Sequence, residues 1–285
     1  MAQSDQVQFH VGDPEWAVPR HGMRAQVKHR IELVRHGETE CNIGLTTEGK
    51  THPTPDPALT ARGRQQAEDV GRFYNELLSL TSDRIPTIHF EMSPLQRTYD
   101  TAVPTIKAFQ GCFGSVSNDV ALREYWRHEG VWVPDRDMDK QGDHHPTGAR
   151  WWCPQESLGE FRRRVHAKVE EWMAQGSAED RKHTIVFGHS LFINTVLTHH
   201  MPDPASDDEE LPVFFHLPNG SITVIDIDTD NKMHIHCVGY TQHLTETSGQ
   251  HTAHVAFQQM LRPSIRAESA PALAPATETN NDEQT

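Results

Sequence analysis

Three short fragments of this 285-residue chain set cations and imidazoles where a strand would give way to a turn. Ile31, Leu33 and Val34 close an apolar run and Arg35-His36-Gly37 follows. TIHFEM at 87–92 is followed by Ser93-Pro94-Leu95-Gln96-Arg97, and the buried run HTIVFGH at 183–189 delivers Gly188-His189-Ser190. An open α/β sheet binds its ligands at the carboxyl ends of its strands. Two Arg and two His converging there make a small anion site, and Arg in particular grips phosphate through paired hydrogen bonds. Any one fragment alone means little, because a lone His at a strand end commonly caps or packs. The ordered set of three is the signal.

The elements that must position these residues read as an α/β protein with a largely parallel sheet, because short β-branched runs alternate with helical patterns. Ala58 to Leu80 carries Ala67, Val70, Tyr74, Leu77 and Leu78 at helical spacing, with Thr60 as N-cap. Pro94 to Phe109 reads as a helix with Pro94 near its first turn, where a missing donor costs least. A strand is expected near Val120. Ser157 to Met173 places Leu158, Phe161, Val165, Val169 and Trp172 on one stripe, and Leu191 to His200 is a further helix. SITVIDID (221–228) and MHIHCVGY (233–240) make a hairpin around Asp230 and Asn231.

The chain resembles the histidine phosphatase superfamily, the phosphoglycerate mutase-like proteins, in its branch 1 phosphatase form. The resemblance lies in LVRHGETECN (33–42), DPALTARGRQQA (56–67), SPLQRTYDTA (93–102), ALREYW (121–126), PQESLGEFRRRV (154–165), IVFGHSLFINTVL (185–197) and LPNGSITVID (217–226). It spans about residues 30 to 245. It implies a three-layer α/β/α sandwich, placed here at 26–262; the first 25 residues read as an irregular extension, and 263–285, a mix of Pro, Ala, Glu, Asn and Thr with no apolar period, as a disordered acidic tail.

The resemblance further implies a metal-independent, cofactor-free phosphomonoesterase that passes the phosphoryl group through His36. Phosphoryl transfer is catalysed mainly by positioning and by cationic stabilisation of the equatorial oxygens. Arg35, Arg97 and His189 suit that duty, and Asn42 would add a neutral donor. His36 must attack as neutral imidazole, and two adjacent guanidinium groups disfavour its protonated form. Its other ring nitrogen must then donate to a fixed acceptor such as a backbone carbonyl. Gly37 is expected to lack a side chain so that the chain can approach the ligand closely. Glu124 holds the position this family uses for the general acid, with Glu38 and Glu129 as rivals; burial or a bound phosphate would have to raise its pKa. Asn42 and Ser190 also fit simple turn and cap roles. Glu156 matches a recurrent acidic residue of the family, although Glu suits any helix N-terminus through the dipole.

Charge and composition set the outer limits. Twenty-six basic residues against 40 acidic ones give a net charge of −14, which argues against a nucleic-acid partner. The tail carries −3 of this, and the acidic stretch from Asp203 to Glu210 carries −5, so the remaining body can still hold a cationic pocket. The apolar fraction, about 41% with Gly included, is low for a globular chain, consistent with part of it being unpacked. No stretch reads as a membrane span or a signal peptide. Cys41, Cys112, Cys153 and Cys237 are widely spaced and read as free thiols, and a cytoplasmic location is expected. Composition leaves oligomeric state open.

The stretch from Tyr125 to Cys153 holds four of the six Trp and is expected to form a lid over the phosphate pocket, with Tyr125, Trp126, Trp132 and Trp151 selecting an organic group larger than glycerate. Packing of these aromatics onto the core accounts for them equally well. His144, His145 and Cys153 do not have zinc-ligand spacing. Two other functions remain open: a phosphoglycerate mutase-type transferase and a non-catalytic phosphate-binding scaffold. Family mutases usually carry Trp before the Asn, where this chain has Cys41, and a His-Gly-Asn-Ser-type third motif, where it has Gly188-His189-Ser190-Leu191. Both departures favour hydrolysis, and retention of His36 and both Arg disfavours the scaffold.

Overall fold

The computed structural model describes residues 27–43, 56–80, 87–139, 141–201 and 213–245. The extension at 1–25, the acidic stretch at 203–210 and the tail at 263–285 lie outside them.

Six strands form one sheet: β1 (Val27–Arg35), β2 (Ile88–Met92), β3 (Ser115–Asn118), β6 (Lys182–Gly188), β7 (Ile222–Asp228) and β8 (Met233–Tyr240), in the order β3-β2-β6-β1-β7-β8. The β3, β2, β6 and β1 strands are parallel, and β7 pairs antiparallel with both β1 and the edge strand β8. Helices α1 (Ala61–Leu80) and α2 (Gln96–Ala108) cover one face, where Val70, Tyr74, Tyr99 and Ile106 pack on Val34, Phe90, Ile185 and Phe187. Helices α3 (Leu158–Met173) and α4 (Ser190–Leu197) cover the other, where Phe161, Val165, Trp172, Phe192 and Ile193 pack on Ile31, Leu33, Val186 and Ile225. This is the expected three-layer sandwich. None of the described helices is long and apolar enough to cross a membrane.

Register aligns the site. Arg35 is opposite Gly188, and Met92 opposite both Phe187 and Asn118, so β1, β2, β3 and β6 all end at one edge. All nine residues of β1 are buried, polar ones included. Their demands are met inside: Arg30 forks onto Asp226 at 2.8 and 2.9 Å, and Glu32 accepts from the Tyr74 hydroxyl at 2.7 Å and lies 2.8 Å from His183.

Local chemistry sets the helix starts. The Thr60 hydroxyl accepts from the Gly63 N–H at 3.0 Å, as its N-cap role requires. Ser157 and Glu160 form a capping box on α3. Three boundaries differ from expectation. Helix α2 begins at Gln96 rather than Pro94, because Leu95 is its extended N-cap and the Asp56 carboxylate supplies the missing acceptor, 2.6 Å from the Gln96 N–H. The strand expected near Val120 ends at Asn118, and Val120–Leu122 is a 3-10 turn capped by Asp119. Helix α4 stops at Leu197.

Two further strands, β4 (Val131–Met138) and β5 (His144–Cys153), pair into a hairpin of their own, where the sequence showed only aromatics and histidines. It is strapped to α2. Arg136 donates to Asp56 and to Gln96, both at 3.0 Å, its carbonyl accepts from the Tyr99 hydroxyl at 2.7 Å, and His144 lies 3.0 Å from Asp100.

Candidate active site

Backbone hydrogen bonds extend the aligned edge by one residue. The His36 N–H donates to the Gly188 carbonyl at 3.0 Å, and the Ser93 N–H to the Phe187 carbonyl at 3.1 Å. The residues after β1, β2 and β6 are therefore side by side, and the His36 and His189 rings lie 5.3 Å apart, tilted by 58°. Arg35, His36, Arg97 and His189 are all buried there.

The turn after β1 is fixed by contacts the sequence did not single out. The Gly37 N–H donates to the Thr101 hydroxyl at 2.9 Å, and that hydroxyl donates to the Arg97 carbonyl at 2.6 Å, joining the His36 turn to the first turn of α2. The His36 carbonyl accepts from Asn219 Nδ2 at 3.0 Å. Gly37 meets a further constraint from the chain itself: a Cβ there would stand 2.4 Å from the Gly63 carbonyl oxygen, and one on Gly63 would stand 2.0 Å from that of Glu38. Two backbones cross at this point, leaving no room for a side chain on either glycine.

Ring geometry selects tautomers. His36 Nδ1 is 2.7 Å from the Gly37 carbonyl, a contact that only an N–H satisfies, which leaves the lone pair on Nε2. His189 Nε2 is 2.8 Å from the Ser93 hydroxyl, while its Nδ1 is buried with no hydrogen-bond partner among the described residues. Where the hydroxyl donates to Nε2, Nδ1 carries the proton and becomes a donor for an anion.

The electrostatics match. Burial, then the charges of Arg97 and Arg35, push His36 well below its ordinary pKa of 6.5. His189 falls well below that value too, from burial and then from Arg97, His36 and Arg35. Burial lowers the Arg35 pKa to about 10, with Glu124 opposing and Arg97 adding to the fall, and burial lowers Arg97 as well. Arg35 donates to the Leu217 carbonyl, and its buried Nε has no partner among the described residues. An anion is the natural complement of such a pocket.

Glu124 faces this cluster closely enough that both guanidinium charges act on it. Its carboxyl oxygens accept from the Tyr125 N–H at 3.1 Å and from the Leu191 N–H at 3.2 Å. Burial nevertheless raises its pKa above the ordinary 4.5, against the pull of those N–H groups and both Arg. The rivals stand otherwise: the Glu38 carboxylate accepts from the Thr60 hydroxyl at 2.8 Å and lies 3.7 Å from Arg62, and Glu129 is exposed.

The Asn42 carbonyl oxygen accepts from the Thr39 N–H and hydroxyl, both at 3.0 Å, and from Asn219 at 3.2 Å, so the end left over is its amide donor. The four aromatics divide. Trp126 and Trp151 pack with Leu95, Val133 and Cys153 beside the α2 N-terminus that carries Arg97. Tyr125 instead turns to Phe161, at 5.6 Å, in the α3 layer. Trp132 stands on the outer face of the hairpin, half-exposed and 5.3 Å from Trp152. His144 and Cys153 sit at opposite ends of β5, and no cluster of three or more His, Cys, Asp or Glu among the described residues could hold a metal ion.

Comparison with known proteins decides the family. The model of the histidine phosphatase superfamily (branch 1) matches residues 31–238. The chain belongs to this superfamily. A broad-specificity phosphatase of Saccharomyces cerevisiae is 27% identical over 221 residues, covering 75% of this chain and 87% of the yeast protein. Among solved structures, a mycobacterial glucosyl-3-phosphoglycerate phosphatase is 20% identical with a TM-score of 0.47, over 74% of this chain and 99% of that one. A phosphoglycerate mutase from Bacillus anthracis is 16% identical with a TM-score of 0.49, over 78% and 98%. In this histidine phosphatase the residues missed by sequence reading are Ser93, Thr101 and Asn219. Ser93 and Thr101 lie within SPLQRTYDTA, and Asn219 in LPNGSITVID, but nothing in their spacing assigned them hydrogen bonds.

Proposed function

We propose that this protein hydrolyses small phosphomonoesters through a phosphohistidine formed on His36. The observation that carries the reading is an Nε2 lone pair on His36, set by the Gly37 carbonyl, in a pocket walled by two guanidinium groups. Arg35, Arg97, His189 through Nδ1–H, and the Asn42 amide hold the phosphoryl oxygens as charge builds on them. His36 attacks in line, and Glu124 protonates the departing alkoxide. The same carboxylate then takes a proton from the water that cleaves the phosphohistidine, returning phosphate and free His36. No residue of this cycle calls for a metal, and a cytoplasmic setting is part of the reading.

Ser93 tests the anion pocket. Ser93→Ala leaves the His189 tautomer unset, so inorganic phosphate should inhibit about ten-fold more weakly, the scale of one hydrogen bond to a charged group. Unchanged inhibition would mean that His189 does not hold phosphate through Nδ1.

Mutase chemistry is separated from hydrolysis with labelled 3-phosphoglycerate. Hydrolysis predicts free phosphate and glycerate. Accumulation of the 2-phospho isomer without free phosphate would overturn the reading.

A further inference from the structure

Glu124 is held by a second layer of charge that the reaction does not touch. The segment from Asp119 to Trp126 runs along helix α3, and one stripe of that helix, Phe161, Arg164 and Lys168, meets it at successive turns. Lys168 lies 2.8 Å from Asp119, the cap of the 3-10 turn. Arg164 Nη1 donates to the Ala121 carbonyl at 2.7 Å and to the Arg123 carbonyl, in the peptide that joins Arg123 to Glu124, at 3.1 Å. Tyr125 packs on the Phe161 ring, which Arg164 also covers at 4.9 Å.

Glu156 closes the arrangement. Its carboxylate accepts from Arg164 at 2.6 and 3.2 Å and from Arg123 at 3.0 Å, and all three side chains are largely buried. Its backbone N–H donates to the Trp126 carbonyl at 3.0 Å. The chain is thus fixed immediately before Glu124 and two residues after it. One carboxylate orients both guanidinium groups, and Arg supplies the fork that such bracing needs. Helix-dipole placement does not explain this, since Glu156 precedes the Ser157 cap and spends its oxygens on two Arg.

The geometry points to Glu156 and Arg164 as positioning residues that set the reach of the Glu124 carboxyl to the leaving group. This deepens the function proposed above and rests on it. A group that positions an acid should matter only where the acid matters. An alkyl alcohol departs poorly without a proton, whereas p-nitrophenolate departs without one.

The test compares kcat/KM for glycerol 2-phosphate with kcat/KM for p-nitrophenyl phosphate on the same preparation, so that the fraction of folded enzyme cancels. Glu156→Gln should lower the alkyl-to-aryl ratio by about ten- to a hundred-fold, the cost of misplacing a catalytic group by around an ångström. In a Glu124→Gln background the same substitution should leave the ratio unchanged, because the two act through one group. Arg164→Lys keeps the charge, loses the fork and should lower the ratio in the same sense; it serves if Glu156→Gln does not fold. A parallel fall on both esters would show a purely structural pair and overturn the inference. If Glu124→Gln lowers the ratio while neither Glu156→Gln nor Arg164→Lys does, this inference alone fails. If Glu124→Gln itself leaves the ratio at the wild-type value, the acid assignment falls and takes this inference with it.

Discussion

Replacing His36 by alanine is expected to cut phosphate release from p-nitrophenyl phosphate by at least about 10³-fold, because no other group can take over a covalent step. His189 is the nearest imidazole, but its Nε2 is engaged with Ser93, and in the proposed cycle its Nδ1 donates to the phosphoryl oxygens. The pocket should survive the change. Arg35 and Arg97 are built by separate elements, β1 and α2, and Arg35 is anchored on the Leu217 carbonyl rather than on the His36 ring. Inorganic phosphate should therefore still bind His36→Ala, which separates a lost nucleophile from a collapsed site. Activity within ten-fold of wild type would exclude His36 as the attacking group.

Glu124→Gln should show the second large effect, and the effect should depend on the ester. Glutamine keeps the shape and, through its single carbonyl oxygen, one of the two contacts to the Tyr125 and Leu191 N–H groups, but carries no transferable proton. General acid catalysis supplies about 10²- to 10⁴-fold, so kcat/KM for an alkyl phosphate should fall by that order while an aryl phosphate loses far less. The sign of the pH dependence follows from the two shifts. His36 is depressed well below 6.5, so the nucleophile loses its lone pair only in acid. Glu124 is raised above 4.5, so its proton is retained to higher pH than an ordinary carboxyl would allow and is lost as pH rises through that raised value. Alkyl ester hydrolysis should decline on that alkaline limb, and aryl ester phosphorylation should not. Equal pH profiles for both esters in the wild type would place the acid elsewhere.

The anion cluster was legible in the sequence because strand ends are local features. A β-branched run followed by Arg-His-Gly or Gly-His-Ser announces both the strand and the residue it delivers, and register then brings His36, Ser93 and His189 to one edge. The extent of β1 was less legible. Lys28, His29, Arg30 and Glu32 break the apolar run, and they are tolerated because Asn231, Thr184, Asp226, Tyr74 and His183 meet them from elsewhere in the chain. Such long-range pairing leaves no local trace. The start of α2 was misplaced for the same reason, its cap being Asp56 from 40 residues earlier.

The aromatic stretch shows the limit of composition. Tyr125, Trp126, Trp132 and Trp151 read as one lid, but cross-strand register places Val133 with Trp151 on one face and Trp132 with Trp152 on the other. A hairpin's faces follow from pairing, and pairing was not written in a stretch with few strand signals.

The most direct test of the account is to quench the enzyme during turnover of p-nitrophenyl phosphate and locate the phosphoryl group by mass spectrometry under conditions that preserve phosphohistidine. An acid-labile phosphoryl group is expected on His36, absent from His36→Ala and accumulating in Glu124→Gln, where hydrolysis of the intermediate lacks its base. Steady turnover with His36 unlabelled, or with the label on another residue, would contradict it.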